Sequence, residues 1–130
     1  MQIIKAGVVM DGFKIAAAST EGVSIDAHFG HANIYRVINV NMSDKTWEVE
    51  RIQEINFPGI ENTGETRCWG HDEMKVTYIA EKLKDCKYLL ISKIGPHPQR
   101  VLARYQFECL ETNMTIEDAV NKIIEYEEKR

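Results

Sequence analysis

The chain is poor in the features that mark most specialised proteins. It has three cysteines in 130 residues, and Cys68, Cys86 and Cys109 are odd in number and far apart. That pattern excludes a disulfide scaffold and points to a reducing, cytoplasmic setting. No apolar run approaches the ~20 residues that a membrane-spanning helix requires. The opening Met1-Gln2-Ile3-Ile4-Lys5 lacks the charged and apolar regions of an export signal. Positive charge is also short: the net charge is −4, and no dense Lys/Arg cluster could line a nucleic-acid backbone. A glycine-rich phosphate loop ending in Lys-Ser/Thr is missing, as is a G-x-S-x-G nucleophile elbow. No repeat or low-complexity stretch is present.

What remains is an ordinary globular composition, 44% hydrophobic and 28% charged, in a chain the size of one domain. Lys14 to Ala18 reads as a buried strand ending at the turn Ser19 to Gly22. Ile34 to Val40 and Thr46 to Ile55 read as a hairpin, the second strand half-buried with Trp47 and Val49 alternating against Glu48 and Glu50. Residues 56–71 form a long loop. Val76, Ile79, Ala80 and Leu83 have the spacing of a helix with one buried face, opened by Asp72 and Glu73. Tyr88 to Ser92 suits a central strand, and Pro98 suits position N1 of a short helix to Arg104. Phe107 to Leu110 suits an edge strand. Thr115 caps a final helix with Ile116, Ala119, Val120 and Ile123 on its apolar face. Hairpins followed by strand–helix alternation give an α/β fold with a mixed sheet.

The histidines carry the chemistry. His28 and His31 form an H-x2-H pair in the loop Asp26-Ala27-His28-Phe29-Gly30-His31, and imidazole is the commonest metal-ligand side chain. The long loop carries Cys68-Trp69-Gly70-His71, a C-x2-H pair. Together they make one thiolate and three imidazoles from two glycine-containing loops, a donor set for zinc or a late transition metal. The alternative is structural: surface histidines in a turn, Cys68 and Trp69 packing a loop down, and His71 near a helix start. His97 lies in Gly95-Pro96-His97-Pro98, a strand-to-helix turn flanked by Lys93 and Arg100. There free amides favour an anion, or the prolines frame a rigid turn with an exposed histidine. Asp26 either orients a ligating histidine or makes an Asx-turn. Cys86 and Cys109 border apolar runs and read as small buried hydrophobes. A nuclease with clustered carboxylates finds no support, because the first strand contains none.

Two segments resemble the dinitrogenase iron–molybdenum cofactor-binding family. They are Lys14-Ile-Ala-Ala-Ala-Ser19 through Asp26-Ala-His-Phe-Gly-His-Ala32, and Cys68 through Leu89-Leu90-Ile91-Ser92-Lys93-Ile94-Gly95-Pro96. The start of the last helix, Thr115 to Ala119, matches as well. The resemblance sets residues 1–12 apart as an extension and makes 13–130 the domain. It implies a ribonuclease-H-like fold with a five-stranded mixed sheet. It also implies a role in binding or carrying an iron–sulfur or iron–molybdenum cluster in nitrogenase cofactor biosynthesis, without catalysis; the donor set of the two loops itself keeps a mononuclear zinc site as the alternative. His28, His31 and Cys68 fall on the family's motif positions, with His71 and His97 as further contacts. The implied partners are a cluster-donating maturase and a cluster-accepting apoprotein. The chain departs from the family at Cys68-Trp69-Gly70-His71, where a Cys-Gly-Gly stretch is usual, and at Gln106, where glycine is common.

Overall fold

The computed structural model describes residues 12–29, 32–56 and 69–129, with the backbone alone for 69–73. Five strands, β1 (Gly12–Ala18), β2 (Ile34–Asn41), β3 (Thr46–Glu54), β4 (Tyr88–Ile91) and β5 (Glu108–Glu111), form one mixed sheet in the order β3-β2-β1-β4-β5. Three helices accompany them: α1 (Trp69–Lys82), α2 (Pro96–Leu102), which runs on into a short 3-10 turn (Ala103–Tyr105), and α3 (Ile116–Glu128). β1 pairs antiparallel with β2 and parallel with β4; β2 pairs antiparallel with β3, and β4 parallel with β5. Four strands therefore point one way, and β2 alone runs back.

The strand alternation divides the core in two. Ala16, Ala18, Val37, Leu89 and Ile91 face one layer, where Val76, Ile79, Ala80 and Leu83 of α1 and Val101 and Leu102 of α2 pack. Ile15, Ala17, Ile38, Val40 and Leu90 face the other, covered by Ile116, Ala119, Val120, Ile123 and Ile124 of α3. Both helical stripes are those expected from the i, i+3, i+4 spacing. α3 starts as its sequence suggests: the Thr115 hydroxyl accepts the Asp118 N–H at 3.1 Å.

Several local readings change. β1 begins at Gly12, so this residue belongs to the sheet; residues 1–11 lie outside the described residues. β3 is covered only in part: Trp47 packs against the α3 layer, whereas Val49 and Ile52 are 48% and 52% exposed. It is an edge strand, and an irregularity opposite Val37 and Ile38 puts Val49 and Ile52 on the same face. α1 starts at Trp69, so Trp69, Gly70 and His71 open the helix instead of ending the loop. α2 starts at Pro96, which takes N1, and Pro98 falls within the first turn. Gln106 adopts a left-handed conformation, φ 65°. That is the geometry glycine accepts at no steric cost, in keeping with the glycine that the resemblance leads one to expect there.

The end of the sheet where the parallel strands begin is tied by charge. The Arg51 guanidinium grips Asp85 through two bonds of 3.1 and 3.2 Å, and Lys14 bridges Glu50 and Asp85. Lys87 donates to Glu127 at 2.8 Å, which also accepts the Tyr88 hydroxyl. The opposite end carries the loops of interest.

Candidate functional site

Because β1, β3 and β4 are co-directional, their C-terminal ends lie together. The segment after β1 holds His28, and the turn after β4 holds His97. α1 must return the chain from the end of β3 to the start of β4, so it begins at this same end. The connection from β1 first runs beside the residues that follow β4 and only then turns back to β2, so the His28 segment and the start of the β4–α2 turn are neighbours at this end.

The His28 loop is held at four places. Asp26 Oδ1 accepts both the N–H and the hydroxyl of Thr20, at 3.1 and 3.3 Å, stapling the loop closed. Arg36 of β2 donates to the Thr20 carbonyl at 2.9 Å and to the Ser19 carbonyl at 3.4 Å. Ile25 N–H donates to the Met114 carbonyl and Ile116 N–H to the Val23 carbonyl, fastening the loop to the start of α3. Beyond this, Ser92 N–H donates to the Ala27 carbonyl at 3.0 Å and Phe29 N–H to the Lys93 carbonyl at 2.9 Å. His28 thereby stands opposite Lys93 as one more parallel rung beyond the end of β4. Ile25 and Phe29, each 1% exposed, plug the α3 layer and the α1 layer respectively. His28 itself is exposed.

Arg36 and Asp26 are the loop's main polar supports. Arg36 lies on the strand face that also carries Ile38 and Val40, and a lone cation on an apolar stripe is a signal that it has been recruited by a neighbouring segment. For Asp26 the sequence left two roles open, and the bond to Thr20 makes it a staple across six residues.

The turn after β4 is less suited to an anion than its sequence suggests. α2 has only seven residues, and two of its first three, Pro96 and Pro98, have no amide hydrogen to offer. The Ile94 N–H just before it is already taken at 2.9 Å by Glu111 Oε2, itself an anion. His97 is exposed on this turn, as are Lys93 and Arg100. Close by, the buried Ser92 hydroxyl has no hydrogen-bond partner among the described residues.

His31 and Cys68 lie outside the described residues, and of His71 only the backbone is described, in the first turn of α1. Among the described residues no three His, Cys, Asp or Glu side chains gather as a metal site. The other two cysteines behave as hydrophobes. Burial pushes the Cys86 thiol up to about 12 and that of Cys109 to about 11, which leaves both protonated and poor ligands near neutral pH. No helix among the described residues is long and apolar enough to cross a membrane.

Comparison with known proteins agrees with this architecture. The FeMo cofactor biosynthesis protein NifB of Chlorobaculum tepidum is 28% identical over 106 residues, covering 82% of this chain but only 22% of that protein. Among solved structures, the apo form of the orange protein of Desulfovibrio gigas superposes with a TM-score of 0.54 at 16% identity, covering 87% of this chain and 88% of that one. A candidate dinitrogenase of Methanocaldococcus jannaschii superposes with a TM-score of 0.56 at 13% identity, covering 89% and 91%. At such identities the two superpositions speak for the fold. Residues 12–126, from the first residue of β1 to near the end of α3, match the family described as dinitrogenase iron-molybdenum cofactor, and the chain belongs to that family.

Proposed function

We propose that this chain binds an iron–sulfur or iron–molybdenum cluster and passes it on during assembly of the nitrogenase cofactor, without catalysing a reaction itself. The observation that carries the reading is the convergence of loops: the His28 segment, the His97 turn and the start of α1 share one end of the sheet. His28, His31 and Cys68 are the assigned contacts, with His71 and His97 assisting. A few soft or borderline donors suit a sulfide-rich cargo that must leave again, whereas a closed cage would retain it. The cluster is cargo and not a resident group. Its donor would be a maturase and its acceptor an apoprotein, both in the cytoplasm. NifB of Chlorobaculum tepidum, named for FeMo cofactor biosynthesis, supports that setting. The ribonuclease-H-like label belongs to the same proposal, resting on the mixed five-stranded sheet with helices on both faces.

The test is anaerobic loading with an iron–sulfur or molybdenum–iron cluster, followed by visible and electron paramagnetic resonance spectroscopy. Binding should be saturable and should fall steeply in a His28→Ala/Cys68→Ala variant that keeps its fold. Unchanged binding by that variant overturns the residue assignment, and no binding by the unaltered chain overturns the function.

A further inference from the structure

The two ends of α2 are held by different means. At its far end Val101 and Leu102 are buried and fix the helix in the α1 layer. At its near end Gly95, Pro96 and His97 are exposed, and Ile94 is only partly buried. Pro96 and Pro98 have no amide hydrogen with which to bond a neighbouring segment. Burial therefore secures the end of α2 away from His97, and hydrogen bonds must secure the end that bears it.

Among the described residues they do so at two places. The Lys93 carbonyl accepts the Phe29 N–H, on the side of the His28 segment. The Ile94 N–H donates to Glu111 Oε2 at 2.9 Å, at the end of β5. Past Glu111 the chain returns to the other histidine segment. The Met114 carbonyl accepts the Ile25 N–H at 3.0 Å, and the Ile116 N–H donates to the Val23 carbonyl at 2.8 Å. Thr112 Oγ1 accepts the Met114 N–H at 3.1 Å and braces the connection itself.

These joins close a ring, from the His28 segment through the His97 turn, Glu111 and residues 112–116 back to the His28 loop. The joins at Lys93, Met114 and Ile116 are made between backbone groups. The join at Ile94 is made by a side chain, so it is the one that a substitution can remove. A carboxylate is also the stronger kind of acceptor. From Ile94 only Gly95 and Pro96, the latter with its φ locked, lead to His97. We infer that Glu111 is a positioning residue of the candidate site: its carboxylate fixes where the His97 turn stands relative to His28. The part given to His97 rests on the cluster reading, whereas the hold on its turn does not.

The test compares the unaltered chain with Glu111→Ala, which removes the acceptor, and Glu111→Gln, which keeps an uncharged one. Amide exchange followed by NMR reports the Ile94 bond, and residual dipolar couplings report how the His97 turn lies on the sheet. In Glu111→Ala, exchange at Ile94 should speed about tenfold. The N–H couplings of Gly95, His97 and Gln99 should depart from those of the unaltered chain while the sheet keeps its own. Glu111→Gln should restore both. After anaerobic loading with an iron–sulfur cluster, the electron paramagnetic resonance signal should change in Glu111→Ala and return in Glu111→Gln. Unchanged exchange and couplings in Glu111→Ala overturn the inference, as does a loaded signal identical in all three chains. Glu111→Gln behaving like Glu111→Ala also overturns it, because charge and not the bond would then be the cause. If the unaltered chain takes up no cluster, the cluster reading falls, and exchange and couplings still decide whether Glu111 holds the turn.

Discussion

Replacing Gly22 by alanine tests how the His28 loop is held. Gly22 has φ +89°, where a Cβ atom is strained, at a cost of about 1 kcal/mol. That Cβ would also lie 3.1 Å from Cζ and Nη1 of Arg36. A guanidinium at the end of a flexible side chain can move, but moving it breaks the bonds to the Ser19 and Thr20 carbonyls. Losing one or both in a part-exposed setting costs about another 1 kcal/mol. The sum, about 2 kcal/mol, lowers the melting temperature by about 7 °C if the unfolding entropy is about 2.1 cal/mol/K per residue. Urea unfolding of Gly22→Ala, Arg36→Ala and the double variant separates the two parts. With Arg36 truncated, Gly22→Ala should cost only the backbone strain, leaving a coupling of about 1 kcal/mol. Equal costs in both backgrounds would refute the steric argument, and a neutral Gly22→Ala would refute the conformational one as well.

Two further outcomes follow from local geometry. Gln106→Gly should raise stability by about 0.5 kcal/mol in urea unfolding, because relief of the left-handed strain at φ 65° exceeds the added flexibility of the unfolded chain; a loss of stability would contradict this. Hydrogen bonding from Arg51 is the largest cause holding the Asp85 carboxyl below its ordinary value of 3.8. A group with a depressed folded pKa contributes stability that is complete above its unfolded value and lost as the pH falls through the folded one. The stability difference between the native chain and Asp85→Asn should therefore be flat from neutral pH to about pH 5 and shrink below about pH 4. A difference that persists undiminished at pH 2 would show that the Arg51 pairing is not its source.

Much of the fold is written in short-range patterns. The stripe Val76, Ile79, Ala80, Leu83 and the cap at Thr115 landed where their spacing and chemistry place them, since both depend on neighbours within one or two turns. What the pattern does not carry is which face acquires a cover. β3 alternates like a half-buried strand, yet α3 packs over β1, β2 and β4 and leaves Val49 and Ile52 exposed. The glycine in Trp69-Gly70-His71 looks like loop chemistry, but helix propensity is a weak prior and the run opens α1. For the site, the sequence singled out His28 and His97 as chemical groups, and the topology brings their loops to one end. It did not single out Glu111 or Arg36, whose roles arise from bonds to backbone groups 17 and 16 residues away.

The two side chains flanking His28 constrain how any cargo can leave. Ile25 and Phe29 are sunk into opposite layers of the core, one on each side of the sheet. Swinging the segment between them outward would pull an apolar plug from both layers at once, at a cost of several kcal/mol (each plug ~1.5–3). A hinged lid is therefore incompatible with this loop. A group held by His28 would depart by exchange of donor atoms, the imidazole staying in place while an incoming ligand displaces it, so the timing of release would rest with the acceptor.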